Sequence, residues 1–204
     1  MIYEFRTYRL KPRTLKTFIQ RFGETLPTRE EFSPLAAFWY SEIGPLNQVI
    51  HVWPYADTNE RTRIRAEAVA KGIWPPKTSD LIENAQSDIF EAVTSVPALP
   101  PGDVGPYFEI RTYVLEPGSA GRMASRWDEH LPGRTALSPL VGCFSSDIGA
   151  LNRWVHIWAY KSLDERMSVR KTVAQKGSWP PPGDSPVIHQ ESMIALAADF
   201  SPIR

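Results

Sequence analysis

An α+β fold made of two consecutive βαββαβ repeats is predicted for these 204 residues by three observations. A long stretch of sequence recurs at a constant offset of 105 (109 − 4). Within each copy, strand-like alternation and helix-like spacing follow one another in the same order. A segment rich in Pro and Gly separates the copies.

The recurrence is specific. Glu4-Phe5-Arg6-Thr7-Tyr8 returns as Glu109-Ile110-Arg111-Thr112-Tyr113. The same offset pairs Ser33-Pro34-Leu35 with Ser138-Pro139-Leu140, and His51, Trp53 and Tyr55 with His156, Trp158 and Tyr160. It also pairs Trp74-Pro75-Pro76 with Trp179-Pro180-Pro181. No gap is needed between residues 3 and 76. Self-similarity at one fixed spacing marks a duplicated structural unit. The expected division is repeat one over 1–96, a linker over 97–106 and repeat two over 107–204. The linker holds Pro97, Pro100, Pro101, Gly102, Gly105 and Pro106, a composition that stays extended and semi-rigid.

The elements follow in order. Residues 2–8 alternate Glu4, Arg6 and Tyr8 with Tyr3, Phe5 and Thr7, which reads as a strand. After Pro12, Leu15, Phe18, Ile19, Phe22 and Leu26 fall at helical spacing. Residues 36–43 and 48–55 are strand-like and flank Gly44-Pro45-Leu46-Asn47, a turn signal, so they form a hairpin. Ser162-Leu163-Asp164-Glu165 has the capping-box pattern, in which Ser and Glu satisfy free N–H groups at a helix start. Asp57-Thr58-Asn59-Glu60 is its cognate, and these helices should end near Gly72 and Gly177. A last strand is expected over 84–93 and 189–197. The order is ferredoxin-like. Both helices cover one face of each sheet, and the second copy is the simplest cover for the other. The expected whole is a pseudo-dimeric α+β barrel with antiparallel sheets and helices outside.

Composition narrows the function. Lys plus Arg equals Asp plus Glu at 23 each, so no basic excess points to nucleic acid. No apolar stretch has the length of a membrane span. The single cysteine, Cys143, rules out an internal disulfide and reads as a buried small hydrophobe. With strand-like sequence from Ile2 onward leaving no room for a leader, a cytoplasmic setting is expected. There is no Gly-rich phosphate loop, no Gly-x-Ser-x-Gly and no dinucleotide fingerprint, so no cofactor is expected. No His or carboxylate pair has ligand spacing on one helix, and no metal is expected either.

The motifs resemble the NIPSNAP family. The opening strand Tyr3-Glu4-Phe5-Arg6-Thr7-Tyr8 is similar to its first hallmark. Glu42-Ile43-Gly44-Pro45-Leu46-Asn47-Gln48-Val49-Ile50-His51-Val52-Trp53 is similar to its hairpin. Copy two departs at Asp147, Ala150, Arg153 and Trp154. The resemblance implies a dimeric α+β barrel, closed here within one chain where single-copy relatives would dimerise. It implies a superfamily containing cofactor-independent monooxygenases, small-ring isomerases and haem-degrading enzymes. Members of the family itself mostly lack an assigned reaction.

Alternation assigns a candidate site. His51, Trp53 and Tyr55 share one side of their strand, opposite Ile50 and Val52. The aliphatic side is assigned to the helices and the other to the space between the sheets. Copy one then contributes Glu4, Arg6, Tyr8, Tyr40, Glu42, His51, Trp53 and Tyr55. Copy two contributes Glu109, Arg111, Tyr113, Ser145, Asp147, His156, Trp158 and Tyr160. Aromatic walls with a few ionisable groups suit a small apolar or aromatic molecule. In an enzyme, a cofactor-independent oxygenase or isomerase, His156 would be the acid/base. Asp147 would be a further catalytic candidate, Tyr113 would donate a hydrogen bond, and Arg111 would hold an anionic group. Glu109, Ser145, Trp158 and Tyr160, with Arg6, Tyr8, Glu42, His51 and Trp53, would line the ligand. Phe38 and Tyr40 become Cys143 and Ser145, which would make the second half roomier. The alternative is a non-catalytic ligand-binding or protein-interaction module. In a third reading the polar interior only pairs the halves. Arg61, Arg65, Arg166 and Arg170 read as a solvated helix face. The expected partners are a small molecule and no nucleic acid, in an intramolecular pseudo-dimer open to further homo-oligomerisation.

Overall fold

A computed structural model of the chain describes residues 1–72, 74–177 and 179–204. The first half runs β1 (Ile2–Leu10), α1 (Leu15–Glu30), β2 (Ala37–Ile43), β3 (Gln48–Tyr55), α2 (Thr58–Ala70) and β4 (Ile82–Ala92). The second runs β5 (Tyr107–Leu115), α3 (Ala120–Thr135), β6 (Leu140–Ile148), β7 (Arg153–Tyr160), α4 (Leu163–Lys176) and β8 (Val187–Ala197). Each half has the expected βαββαβ order. β4 and β8 begin earlier than alternation suggests, because pairing with β1 and β5 continues past a bulge to Leu10↔Ile82 and Leu115↔Val187.

Local chemistry explains the boundaries. Asp57 accepts from the Glu60 N–H at 2.9 Å, and Ser162 accepts from that of Glu165 at 3.0 Å. The two glutamates turn back to the N–H groups of Ala56 and Lys161, completing both capping boxes. The β2–β3 turn needs positive φ at Gly44 (119°) and Asn47 (56°), and the β6–β7 turn repeats it at Gly149 and Asn152.

The eight strands close into one antiparallel barrel in the order β1-β3-β2-β8-β5-β7-β6-β4. The halves are stitched at two seams, β2 to β8 and β4 to β6. Pairing at both seams removes the exposed sheet edges that each half alone would carry.

A single apolar cluster fills the barrel. It takes Tyr3, Phe5, Trp39, Ile50, Val52 and Phe90 from the first half, and Phe108, Ile110, Phe144, Val155 and Ile157 from the second. Phe144 meets Tyr3 and Phe5 edge-on, each at 5.1 Å between ring centres. Leu99 of the connecting segment and Ile203 of the final residues are buried in the same cluster. Gly102 and Arg204 hold these segments together through backbone hydrogen bonds, including Arg204 N–H to Gly102 O at 3.0 Å. They close one end of the barrel. The other end is a depression of about 360 Å³ floored by Phe5, Phe90 and Ile110.

This arrangement reverses the expected faces. Tyr3, Phe5, Ile50 and Val52 point inward. Phe38, Trp53 and Tyr55 pack under the helices with Phe18, Phe22, Leu26 and Ile64, and Tyr40 lies against the same cluster. The closed end of the barrel is a costly place for a charge, so the apolar set fills it, and the charged pair Asp88 and Arg153 sits at the open mouth. The pairing of the halves by polar groups is left to Asp88 of β4 and Arg153 of β7, an ion pair at the barrel mouth, and not to the Glu4 and Arg6 set expected to do it.

Candidate functional site

Strand register assembles the same polar cluster twice on the outer face of the barrel. Arg6 lies between His51 on β3 and Ser87 on β4, while Glu4 pairs with Trp53. In the second half Arg111 lies between His156 and Ser192, and Glu109 pairs with Trp158. Alternation places Glu4, Arg6 and Tyr8 on one face, directly beneath α2.

Glu4 is fully buried and is held by cations. Arg61 Nη2 donates to it at 2.6 Å, Arg6 Nη1 at 2.8 Å and Ser87 Oγ at 2.6 Å, with Arg65 at 3.7 Å. Glu109 has the matching set: Arg166 at 2.7 Å, Arg111 at 2.9 Å, Ser192 at 3.0 Å and Arg170 at 3.6 Å. Burial alone would raise both carboxyl pKa values. The arginine and serine hydrogen bonds and the guanidinium charges overcome it and hold each at about 2. The helix arginines expected to be solvated are therefore the carboxylates' counter-ions.

Sequence reasoning missed a further pair. Arg29 on α1 and Arg134 on α3 are buried, at 2% and 4% exposure. Arg29 donates to Tyr55 Oη at 2.9 Å and to Ser33 Oγ at 2.8 Å, and Arg134 repeats this with Tyr160 and Ser138. Their guanidinium groups lie over the Trp53 and Trp158 rings at 4.3 and 3.8 Å. Neither forms an ion pair with a carboxylate among the described residues. The signal was available: Arg-x-x-x-Ser recurs at the same offset. Three arginines thus pair with each glutamate, and a fourth, held by a tyrosine and a serine, lies buried beside them.

The histidines are fixed in one protonation state. Trp53 Nε1 donates to His51 Nδ1 at 2.7 Å, and Trp158 does the same to His156. An indole N–H only donates, so Nδ1 carries the lone pair and the proton of the neutral ring sits on Nε2. Burial, reinforced by nearby arginines, pushes both pKa values well below 6.5. Neither Nε2 has a hydrogen-bond partner among the described residues. Such a ring can donate to a ligand oxygen and cannot accept a proton from one. Both imidazoles are expected to stay neutral just below pH 6.5, with the proton on Nε2, as nitrogen NMR shifts would show. A protonated ring there would contradict the Trp–His geometry.

Each cluster opens on a cavity between barrel and helices. The first, of about 300 Å³, is lined by Arg6, Tyr8, His51 and Arg65 and walled by Phe18, Phe22, Trp74 and Ile82. The second, of about 250 Å³, has Arg111, Tyr113, His156 and Arg170, with Glu109, Trp158, Tyr160 and Gln190. Most of the expected site residues do come together, but under the helices and in two places. The barrel's own mouth contains none of them. Trp53 packs behind the first cavity. Glu42 and Asp147 are exposed at strand ends, and Ser145 sits at the β4–β6 seam. None of the three lines either cavity. Asp147 lies well beyond Cys143, the pairing partner of His156, and cannot assist it.

The second half is also not the roomier one. Phe38 and Cys143 both face the helices, but Phe22 and Val49 are replaced by Trp127 and Trp154. These tryptophans meet edge-on at 5.3 Å and take up the space.

An antiparallel barrel closed by two βαββαβ units, with helices outside, is the architecture of the dimeric α+β barrel proteins, assembled here within one chain. The chain belongs to the NIPSNAP family, whose model matches it twice, over residues 3–97 and 108–202. Protein NipSnap homolog 3A from Homo sapiens is 28% identical over 218 residues, spanning 100% of this chain and 86% of the human protein. A candidate monooxygenase from Fusobacterium nucleatum matches in structure with a TM-score of 0.67 at 10% identity, over 96% of this chain and 91% of its own. Another from Lactobacillus acidophilus has a TM-score of 0.64 at 10% identity, over 98% and 97%. At such identities these structures share the fold. No helix among the described residues is long and apolar enough to cross a membrane.

Proposed function

We propose that the chain binds a small aromatic or apolar anion in the cavities between barrel and helices. One observation carries this reading. Arg6, Arg65, Tyr8 and His51 line an aromatic-walled cavity, and no carboxylate lines it among the described residues. Tyr8 Oη accepts from Arg6 Nε at 2.7 Å, which leaves its own proton for a ligand. His51 adds a buried Nε2–H that has no partner among the described residues. Cationic and N–H donors beside hydroxyls, with no carboxylate among the described lining residues, suit a carboxylate or an enolate- or phenolate-type oxygen. The volume is at the lower end of that of small-molecule sites.

Turnover, as in a cofactor-independent oxygenase or isomerase, is the further step. In it the neutral histidine would stabilise negative charge on oxygen by donating a hydrogen bond, as a preorganised dipole, and would not move the proton itself. With Asp147 outside the cavities, the residues at hand favour binding and oxyanion stabilisation over His-based proton transfer.

Calorimetric titration with naphthoate, against neutral naphthalene methanol, tests the proposal on the unaltered chain. Naphthoate is expected to bind at least about tenfold more tightly, the worth of one charge-assisted hydrogen bond. Arg6→Met with Arg111→Met should abolish the preference while thermal melting still reports a folded protein. Equal binding of both compounds would sink the anion site without any variant.

A further inference from the structure

The two polar clusters match residue for residue, yet the positions opposite their tyrosines differ. Ala85 pairs with Tyr8 on β4, whereas Gln190 pairs with Tyr113 on β8. Gln190 Oε1 accepts from Arg111 Nη2 at 3.3 Å. Arg111 therefore spends every nitrogen within the protein: Nε on Tyr113, Nη1 on Glu109 and Nη2 on Gln190. Arg6 uses Nε on Tyr8 and Nη1 on Glu4 in the same way. Ala85 has no side-chain acceptor, so Arg6 Nη2 is left with no protein acceptor among the described residues.

The surroundings differ in the same sense. A carboxylate, Glu109, and the Gln190 amide line the second cavity, while the first has neither and is walled by more apolar side chains. Resting on the anion-binding reading above, we infer that the first half holds the selective site for an aromatic carboxylate and that the Ala85/Gln190 exchange decides between the halves. The ligand carboxylate takes Arg6 Nη2 and the His51 Nε2–H, and its ring lies among Phe18, Phe22 and Trp74. In the second half Gln190 occupies that guanidinium edge as an internal surrogate for the anion.

Ala85 and Gln190 are exposed on strands, so exchanging them leaves the core untouched. Naphthoate titration of the full chain by calorimetry reads the result. The unaltered protein is expected to bind a single tight equivalent. Ala85→Gln should weaken it about tenfold, the loss of one charge-assisted hydrogen bond. Gln190→Ala should bring a second equivalent into the tight class. Two equal equivalents in the unaltered chain, or an Ala85→Gln affinity within about twofold of the original, would overturn the selection. Binding that needs Arg6 but ignores Ala85→Gln would defeat this inference alone. Binding that is absent, or survives Arg6→Met with Arg111→Met, would defeat the anion site itself.

Discussion

Glu4→Gln and Glu109→Gln are each expected to lower unfolding stability at neutral pH by about 3 kcal/mol, the low end for breaking a buried ion pair. The low end applies because the arginines are partly solvated, from 14% to 46% exposed, and retain some hydration when the carboxylate goes. Titration leads to the same magnitude. Each carboxyl has a folded-state pKa of about 2 against an ordinary 4.5, a gap worth about 3 kcal/mol. A depressed carboxyl pKa contributes its full stability above pH 4.5 and loses it as pH falls towards 2. His51 and His156 steepen the loss, because their folded pKa values lie below the unfolded 6.5 and the unfolded chain takes up protons first. Denaturant midpoints measured from neutral pH downward should therefore fall from just below pH 6.5, most steeply under pH 4.5. In Glu4→Gln the acid limb should be shallower. An unchanged acid limb would mean that Glu4 is not held by its arginines.

The repeat, element order and helix caps were legible in the sequence because each rests on local chemistry: spacing, capping boxes and turn residues. The faces were not, because alternation says which residues share a side but not which side is dry. Ile50 and Val52 suit helices as well as they suit a barrel interior. The deciding signal lay in α2 and α4. Only Ile64 and Ala68 of α2 are buried, as are only Val169 and Val173 of α4. A helix with so narrow an apolar stripe cannot cover an aliphatic sheet face, and its inward arginines require acceptors below. Glu4 and Glu109 are those acceptors. The cavity sizes were unreadable for a related reason. Phe38→Cys143 looks like lost volume along one strand, but Trp127 and Trp154 restore it from α3 and β7, and packing is settled across elements.

Phe144→Ala is expected to cost about 3 to 5 kcal/mol, the usual range for removing a core phenylalanine. Its ring is fully buried on the barrel axis side of β6 and touches Tyr3 and Phe5 of the other half. Gly142 makes room for it, since a Cβ there would come within 2.6 Å of the ring. Relaxation into the space is limited, because the surrounding strands are hydrogen-bonded on both sides. On the opposite side Trp39 packs at 5.4 Å on Phe108, joining the halves in the same manner. The shared cluster makes the halves one cooperative unit, so Phe144→Ala should unfold in a single transition at a lower denaturant midpoint. Two separated transitions, one per repeat, would show that the halves fold independently and that the interior does not unite them. Naphthoate affinity of the folded variant should be unchanged, because the cavities lie on the far side of the sheet from Phe144.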